Sequence, residues 1–312
     1  MATIITITFN PAIDKSTTVP QLIPEKKLYC SDPVYEPGGG GINVARAIKR
    51  IGGNAIAIYL EGGYSGKVFT ELLRKEMIDI IPIRTLGVTR ENLVVKELST
   101  NKQFRFGMPG DKVSDKEWKK CVKALSEIQD VNYIVVSGSL PAGIPADIFG
   151  RMASVAHSKN ARLIVDTSGI ALNHAVEAGT YLIKPNLKEL ALLVDKDSLT
   201  IDEVEKASKE IINKHHCEVV ITSLGARGAI LTTKEISLRI VPPKVDIQST
   251  VGAGDSMLAG IVLSLSKNKS LIEAAQYGVA CGTAATMNQG TELCHFDDVK
   301  KLYEIISNQT IS

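Results

Sequence analysis

Short apolar runs of strand length alternate with helix-length amphipathic stretches through most of this chain. Parallel strands need long crossover connections, so this alternation predicts a mostly parallel sheet flanked by helices, which is an α/β fold class. The runs predicted as buried strands are residues 4–9, 55–60, 133–137, 163–166, 181–184 and 219–223. The stretches predicted as helices are residues 42–51, 68–75, 115–128, 146–158, 187–193, 201–214, 255–265, 271–287 and 296–306.

The length of the chain limits the number of domains. With 312 residues, one large α/β domain spanning residues 1–312 is favoured over two equal domains. Right-handed crossovers place the loops that follow the strands along one edge of the sheet, where α/β enzymes bind their ligands. Site residues are therefore expected just after the predicted strands.

Two segments break the alternation. Residues 16–36 are rich in proline and charge and lack a helical period, and residues 92–96 and 103–106 have the pattern of a β-hairpin. Together they predict a small β-sheet lid, formed by about residues 15–37 and 88–108. A sheet of this size has too little core to stand alone. We expect it to cover the active site, to pair with a second subunit, or to do both.

The composition excludes several classes of function. A formal net charge of +2 gives no general field for nucleic acid or a membrane surface. The apolar run at residues 4–9 is far shorter than the ~20 residues that span a bilayer. The five histidines show no metal-ligand spacing. The five cysteines form no Cys-x-x-Cys pair, so no disulfide framework is expected and a reduced, cytoplasmic setting fits.

The most specific motif is Thr-Val-Gly-Ala-Gly-Asp-Ser at residues 250–256, which follows an extended stretch and opens a predicted helix. Gly252, Ala253 and Gly254 let backbone N–H groups converge at a helix N-terminus, where the dipole favours an anion such as a phosphoryl group in transfer. Asp255 follows at once, and its carboxylate could take a proton from an attacking hydroxyl. The alternative is a tight turn in which Asp255 only complements the helix dipole.

Four consecutive glycines at residues 38–41 form a second motif and lead into an amphipathic helix. A glycine run lets a ligand approach the backbone closely, and Asn43 can donate a hydrogen bond to a sugar hydroxyl. The alternative is a flexible hinge or a simple helix start, although ordering four glycines is costly. The run is not a Walker A loop, because no Gly-Lys-Ser/Thr ends it, and it does not directly follow a predicted buried strand as a dinucleotide-binding fingerprint would.

The segment Lys-Pro-Asn-Leu-Lys-Glu at residues 184–189 has two interpretations. Asn186 with Glu189 three residues later is typical of a capping box at a helix start. The same two side chains could hold Mg²⁺ or its bound water beside the phosphates of a nucleotide, with Lys184 reaching those phosphates. A cap and a metal role can coexist, so both stay open.

Further candidates lie after predicted strands or in the predicted lid. Residues 219–223 end in Thr-Ser before a turn containing Gly225, which could contact a nucleotide or simply close a β-hairpin. Asp14 follows the first strand and could bind sugar hydroxyls, or could be a turn residue. Arg90 and Arg105 flank the predicted hairpin and could grip a phosphate, although each alone is more often a solvated surface charge.

In this order, the motifs resemble the PfkB or ribokinase family of carbohydrate kinases along nearly the whole chain. Its two glycine signatures and its Asn-x-x-Glu motif have counterparts at residues 38–43, 250–256 and 186–189. Within the family, the chain is similar to the minor bacterial 6-phosphofructokinases. The segments that carry this similarity are PGGGGINVARA (37–47), SGSLP (137–141), KPNLKEL (184–190), STVGAGDSM (249–257) and NQGT (288–291).

The resemblance implies ATP-dependent phosphorylation of fructose 6-phosphate to fructose 1,6-bisphosphate, with tagatose-6-phosphate kinase and 1-phosphofructokinase as alternatives. Those two relatives usually carry lysine at the third position of the glycine run, where this chain has Gly40, but residues 8–14 resemble theirs. A ribose or nucleoside kinase is disfavoured, because a neutral sugar would leave Arg90 and Arg105 nothing to bind. A non-catalytic sugar-phosphate-binding regulator is the more distant alternative, and it would not need Asp255.

The resemblance also implies a ribokinase-like fold with a β-lid and a role for each matching residue. Asp255 would be the general base, and the backbone of Gly252, Ala253 and Gly254 would form the anion hole. The residues implied to bind the phosphosugar are Asp14, Gly39, Asn43, Arg90, Arg105 and Ser139. The residues implied to line the nucleotide are Lys184, Asn186, Ser223, Gly225 and Asn288.

Cofactors and partners follow from the same resemblance. Glu189, with Asn186, would organise Mg²⁺, ATP would be the co-substrate, and K⁺ could bind near Ser249 and Asn288. The lid would clasp that of a second subunit in a homodimer. Lys27 could then reach the partner's site.

Overall fold

The computed structural model describes residues 2–309, and its largest element is a nine-stranded sheet. Its strands are β1 (Thr3–Thr8), β4 (Ile56–Gly62), β5 (Asp79–Thr85), β8 (Val131–Ser137), β9 (Arg162–Asp166), β10 (Leu182–Ile183), β11 (Val219–Ser223), β12 (Ala229–Thr232) and β13 (Ser237–Ile240). Their order is β13-β12-β11-β10-β9-β8-β1-β4-β5. The strands from β11 to β5 run parallel, and β12 and β13 continue the sheet antiparallel at one edge. The predicted α/β fold class is confirmed.

Helices cover both faces of this sheet. They are α1 (Gly40–Arg50), α2 (Gly63–Lys75), α3 (Asp115–Glu127), α4 (Ile148–Ser158), α5 (Ile170–Glu177), α6 (Leu187–Leu193), α7 (Val204–Lys214), α8 (Ala253–Ser266), α9 (Leu271–Thr286) and α10 (Phe296–Gln309). In β1, Ile4 packs in one core cluster with α1, α8 and α9, whereas Ile5 and Ile7 pack in a second cluster with α3 and α4. Burial on both faces explains why the strands are continuous apolar runs rather than alternating ones. Among residues 2–309, no helix is both long enough and apolar enough to cross a membrane.

The sequence does not predict β5, α5, β12 or β13. β5 lies at the edge of the sheet, contains Pro82 and is mostly half-buried, so it lacks the apolar run of a central strand. β12 and β13 are four residues long and α5 is eight, which is too short for a clear period. The turn after β11, for which the sequence left two interpretations, leads into an antiparallel strand, so a hairpin is present there.

Four further strands form a second, smaller sheet. It consists of β2 (Ala12–Val19), β3 (Val34–Gly38), β6 (Arg90–Glu97) and β7 (Gln103–Phe106), in the order β3-β2-β6-β7. β2 pairs antiparallel with β3 and parallel with β6, and β6 and β7 form the predicted hairpin. Because β2 begins at Ala12, this small sheet includes Asp14, and the interpretation of Asp14 as a turn residue is wrong.

The ends of several strands meet where the small sheet joins the large one. β1 ends shortly before β2 begins, and β3 leads directly into α1. β8 and β9 end side by side at Ser137 and Asp166. The glycine run and the carboxyl ends of the central strands therefore share one edge of the main sheet, as the crossover rule predicts.

Candidate active site

The Gly-Ala-Gly-Asp motif forms the N-terminus of α8. Gly252 is the N-cap residue with φ of 72°, a left-handed conformation that glycine adopts without strain. The first helical hydrogen bond runs from Ser256 N to Gly252 O over 2.8 Å. The amides of Ala253, Gly254 and Asp255 precede it and have no acceptor within the helix. This geometry allows the anion hole that the sequence predicts at Gly252, Ala253 and Gly254, which stays a prediction.

Asp255 lies in the first turn of α8 and is held by a residue from the other glycine motif. Asn43 Nδ2 donates a hydrogen bond of 2.8 Å to Asp255 Oδ2. Removal from water raises the pKa of Asp255 to about 6, and the nearby Asp166 carboxylate adds to the rise, although Asn43 and Lys184 oppose it. A carboxylate whose pKa lies close to neutrality is suited to accept a proton from a hydroxyl.

Lys184, which is buried, forms an ion pair with the half-buried Asp166 beside the N-terminus of α8. Lys184 Nζ lies 3.2 Å from Asp166 Oδ1, and the lysine is 6% exposed. Burial lowers the pKa of Lys184, but the carboxylates of Asp166 and Asp255 outweigh it, so the pKa is raised and the ammonium stays charged. A Cβ added at Gly254 would lie 3.3 Å from Lys184 Nζ. A fixed positive charge therefore stands against the α8 N-terminus, where phosphate oxygens would be bound.

The glycine run brings backbone against the ends of β1 and β8. A Cβ at Gly38 would lie 2.1 Å from Asp14 Oδ2, and one at Gly40 would lie 2.3 Å from Ser137 Oγ. Gly39 between them is the N-cap residue of α1. Such close approach indicates that the run is packed in place, which argues against a flexible hinge. It also leaves backbone, rather than side chains, facing the Asp14 carboxylate.

Asp14 lies in the middle of the small sheet. It is opposite Glu36 of β3 and Asn92 of β6. Asn92 Nδ2 donates to Asp14 Oδ1 over 2.8 Å, and burial raises the pKa of Asp14. The charge of Asp14 also contributes to the raised pKa of Asp255, after the larger effects of burial and of Asp166.

Arg90 and Arg105 have different surroundings. The Arg90 guanidinium donates to the backbone oxygens of Asn10 and Met108 over 3.1 and 3.0 Å, and its partial burial lowers its pKa. Arg90 is thus built into the base of the small sheet rather than being a solvated surface charge. Arg105 is exposed and donates to Thr250 Oγ1 over 3.4 Å, which links β7 to the segment before α8. Asn10 also donates to Ser139 Oγ over 3.0 Å, so Ser139 belongs to the same neighbourhood as Arg90.

Asn186 and Glu189 form the predicted capping box of α6. Asn186 Oδ1 accepts from Glu189 N over 2.9 Å, and Glu189 Oε2 accepts from Asn186 N over 2.8 Å. The charge of Glu189 also helps to raise the pKa of Lys184, after the larger effects of Asp166 and Asp255. The capping interpretation is confirmed, and the metal role stays a prediction. Among residues 2–309, no group of three or more His, Cys, Asp or Glu side chains is arranged to hold a metal ion by itself.

The end of β11 lies beside the segment that carries Lys184. Asn186 forms a parallel β-bridge with Ser223, whose amide donates to Pro185 O over 2.9 Å. Gly225 follows with φ of 61°, where the chain turns towards β12. The segments that carry Lys184, Asn186, Ser223 and Gly225 are therefore neighbours. Their role in lining a nucleotide stays a prediction.

The two remaining predicted site residues are Asn288 and Lys27. Asn288 Nδ2 donates to Leu293 O over 2.9 Å in the loop between α9 and α10, and Ser249 Oγ donates to Gly290 O of the same loop over 2.7 Å. This loop therefore lies against the segment that leads into α8. Lys27 lies in the exposed connection between β2 and β3, with its ammonium 5.2 Å from the centre of the Tyr29 ring. Within this chain, the structure does not place Lys27 in the cluster around Asp255.

Sequence reasoning missed three residues that shape the site. Asp166 fixes Lys184, Asn92 holds Asp14, and Asn10 connects Arg90 with Ser139. Asp166 could have been found, because it ends the predicted buried strand at residues 163–166, at the edge where sites form. Asn92 and Asn10 carry no such signal, because their roles depend on strand pairing in the small sheet.

A helix N-terminus, a fixed lysine and a carboxylate of raised pKa lie together at the carboxyl edge of a parallel sheet, beside a small β-sheet. These are the parts that a sugar kinase of the α/β class requires. The sequence profile of the pfkB family carbohydrate kinases matches residues 5–297. The chain belongs to this family.

Relatives within the family differ in their similarity to the chain. The ATP-dependent 6-phosphofructokinase isozyme 2 of Escherichia coli (strain K12) is 44% identical over 308 residues, covering 98% of this chain and 100% of the relative. The 1-phosphofructokinase of Bacillus subtilis (strain 168) is 32% identical over 93% of this chain and 95% of its own. The crystal structure of Escherichia coli phosphofructokinase-2 in complex with potassium superposes with a TM-score of 0.95, at 44% identity, over 98% of this chain and all (100%) of that one. The ribokinase-like fold is thereby confirmed.

Proposed function

We propose that this chain is an ATP-dependent 6-phosphofructokinase, which transfers the γ-phosphoryl group of ATP to the 1-hydroxyl of fructose 6-phosphate. The observation that carries the proposal is Asp255 in the first turn of α8, with a pKa of about 6 and a hydrogen bond from Asn43. The full-length similarity to the isozyme 2 relative of Escherichia coli supports the choice of substrate. A protein that only binds a phosphosugar would have no use for such a base.

The proposed chemistry is an in-line displacement at the γ-phosphorus. Asp255 accepts the proton of the 1-hydroxyl while that oxygen bonds to phosphorus and the bond to the β-phosphate oxygen breaks, so ADP leaves. The amides of Ala253 and Gly254 and the Lys184 ammonium face the oxygens on which negative charge is spread. Because these donors are fixed before the reaction, they stabilise the transition state without reorganising.

The sugar end of the site is assigned to residues of the small sheet and the glycine run. Asp14, Gly39 and Asn43 would bind sugar hydroxyls. Asp14 suits this role, since Asn92 occupies one of its oxygens and leaves the other facing Gly38. Arg90 and Arg105, with Ser139, would bind the existing phosphate, for which guanidinium groups are good partners.

The nucleotide end is assigned to the rim beside Lys184. Lys184, Asn186, Ser223, Gly225 and Asn288 would line ATP. Mg²⁺ fits here, because carboxylate and amide oxygens are the hard ligands that it prefers, and Glu189 with Asn186 would hold it or its bound water. Magnesium would supply charge neutralisation on the phosphates. K⁺ is assigned to the loop near Ser249 and Asn288, where Ser249 Oγ donates to Gly290 O.

A homodimer that pairs through the small sheet is proposed as the assembly. The edge strands β3 and β7 expose Val34, Tyr35, Phe104 and Phe106. Pairing two such sheets would cover these side chains, and Lys27 of one subunit would then reach the partner's site.

Light scattering after size exclusion should give a mass of two chains. Tyr35→Lys with Phe106→Lys should give one chain. A monomeric wild type would contradict this assembly without touching the chemistry.

The same chemistry on tagatose 6-phosphate or fructose 1-phosphate is the second candidate. It is favoured by residues 8–14, which resemble those kinases, and opposed by Gly40, where they usually carry lysine. A coupled ADP-release assay with Mg-ATP against fructose 6-phosphate, tagatose 6-phosphate, fructose 1-phosphate and ribose decides between them. We expect the highest kcat/KM with fructose 6-phosphate. A preference for another phosphosugar would keep the mechanism and change the substrate. No activity with any of the four sugars, together with detectable sugar-phosphate binding, would favour a regulator.

A further inference from the structure

Arg46 of α1 is buried beside the site without belonging to the proposed chemistry. It is 1% exposed. Its guanidinium donates to both Glu76 oxygens, with the shortest contact at 2.7 Å, to Glu36 Oε1 at 3.1 Å and to Pro37 O at 2.8 Å. A buried arginine is tolerated only when its donors are paired in this way. Arg46 thus ties the first helix of the main domain to α2 and to strand β3 of the small sheet.

Glu36 makes a second connection with its other oxygen. Thr291 Oγ1 donates to Glu36 Oε2 across 255 positions of the chain, and Thr291 is 5% exposed. Thr291 lies in the loop that carries Asn288 and Gly290, and Ser249 Oγ donates to Gly290 O just before the α8 motif. The Glu36 carboxylate therefore connects strand β3 of the small sheet to α1, through Arg46, and to the loop between α9 and α10, through Thr291.

Glu36 also lies directly opposite Asp14 in the β2–β3 pairing. Like charges at opposed positions of a sheet repel each other. Arg46 neutralises Glu36, and Asn92 donates to Asp14, so the two carboxylates can occupy neighbouring positions. If the only role of these residues were to neutralise the buried Arg46, the Glu76 carboxylate would be enough. The contact of Glu36 with Thr291 in the α9–α10 loop would then have no purpose.

We propose that Glu36 is a positioning residue that fixes strand β3 between the Arg46 guanidinium and the Thr291 hydroxyl. In this way it sets the position of Asp14 relative to Asp255 and links the order of the small sheet to that of the loop at 288–292. The kinetic consequences rest on the proposed function, whereas the consequences for backbone order do not.

The kinetic test compares variants at Thr291 and Glu36. Thr291→Val keeps the shape of the side chain and removes the donor, and we expect it to raise the KM for fructose 6-phosphate about tenfold, the order expected when a charge-assisted hydrogen bond is lost. kcat should change by less than about threefold, because the chemical groups are untouched. Thr291→Ser, which keeps the hydroxyl, should restore the KM. Glu36→Gln should raise the KM at least as much as Thr291→Val.

Glu76→Gln is the matched control, because Glu76 is the other partner of Arg46 and directly follows α2, outside the small sheet. It should lower the melting temperature and leave the KM for fructose 6-phosphate within about twofold of wild type. The proposal is overturned if Glu76→Gln raises the KM as much as Thr291→Val does. It is also overturned if Thr291→Val binds the sugar as wild type does.

Hydrogen exchange of the ligand-free protein gives a readout that needs no activity. Thr291→Val should speed amide exchange in both Val34–Gly38 and residues 288–292, and Glu76→Gln should leave residues 288–292 unchanged. If no phosphosugar is a substrate, this exchange pattern still decides whether Glu36 links the two segments. Faster exchange in only one of the two segments would show that they are not linked.

Discussion

Asn43 Nδ2 and Asp255 Oδ2 are 2.8 Å apart, although 212 positions separate the two residues in the chain. Asn43 belongs to the glycine run that starts α1, and Asp255 belongs to the glycine motif that starts α8. The two helices pack against each other on the same face of the sheet. Two motifs that look independent in the sequence are therefore parts of one site, with the amide orienting the carboxylate that we assign as the base.

Asp255→Asn should lower kcat by about 10² or more while the fold stays intact, because the hydroxyl loses its proton acceptor. Steady-state kinetics with fructose 6-phosphate and circular dichroism of the same preparation test this. Asp297→Asn is the matched control, since Asp297 is an exposed acidic residue in the first turn of α10 and leaves the site untouched. If the two variants behave alike, Asp255 only complements the helix dipole.

The raised pKa of Asp255 should appear in the pH profile. The reaction needs the carboxylate, so kcat/KM should rise with pH through about 6 and then level off. A flat profile between pH 5 and pH 8 would contradict the assignment of Asp255 as the titrating base.

The raised pKa of Asp255 should also lower the free energy of unfolding at neutral pH. The pKa of Asp255 is 3.8 in its ordinary state and about 6 in the fold, so the folded chain binds the proton more tightly and is relatively less stable once pH rises through about 6. Asp255→Asn should therefore melt at a higher temperature than wild type at pH 7.5, and the difference should shrink towards pH 4. Thermal melts at the two pH values measure this, and a less stable Asn variant at pH 7.5 would count against it.

Gly252→Ala should damage both stability and turnover. Its φ of 72° disfavours a side chain, and the new Cβ would lie 2.6 Å from Leu293 Cδ2. Gly52→Ala is the matched control, because Gly52 has φ of 78° and no atom within 4 Å of its Cβ position. Left-handed strain alone costs about 1 kcal/mol, so Gly52→Ala should lose about that and keep its kcat. Chemical denaturation and kinetics should separate the two variants.

Substitutions of Asp166 and Lys184 should shift the acid limb of the pH profile of kcat/KM in opposite directions. The Asp166 carboxylate raises the pKa of Asp255 and the Lys184 ammonium lowers it. Asp166→Asn should therefore shift the limb to lower pH, and Lys184→Met to higher pH with weaker ATP binding. Lys184→Met is also expected to be less stable, because it leaves Asp166 without its partner. Asp166→Asn alone decides the question if the methionine variant does not fold, since an unmoved limb would show that the two carboxylates do not interact.

Local patterns predicted much of the fold and part of the site. The central parallel strands could be predicted because both faces of the sheet are buried, so each of these strands is an apolar run. The capping box of Asn186 and Glu189 and the helix start at Gly252 were readable because each depends on residues within one turn. The short edge strands β12 and β13 were not readable, since their order comes from pairing with β11 rather than from a period of their own.

By itself, the sequence determined the α/β architecture and the glycine-rich start of α8 with the proposed base in its first turn, because backbone conformation and burial pattern are encoded within short segments. Only the tertiary structure decided that Asp14 lies within a strand, that Asp166 fixes Lys184, and that Glu36 joins Arg46 to Thr291. Those relationships join residues far apart in the chain. They depend on the register of strands and the packing of helices, which no local pattern specifies.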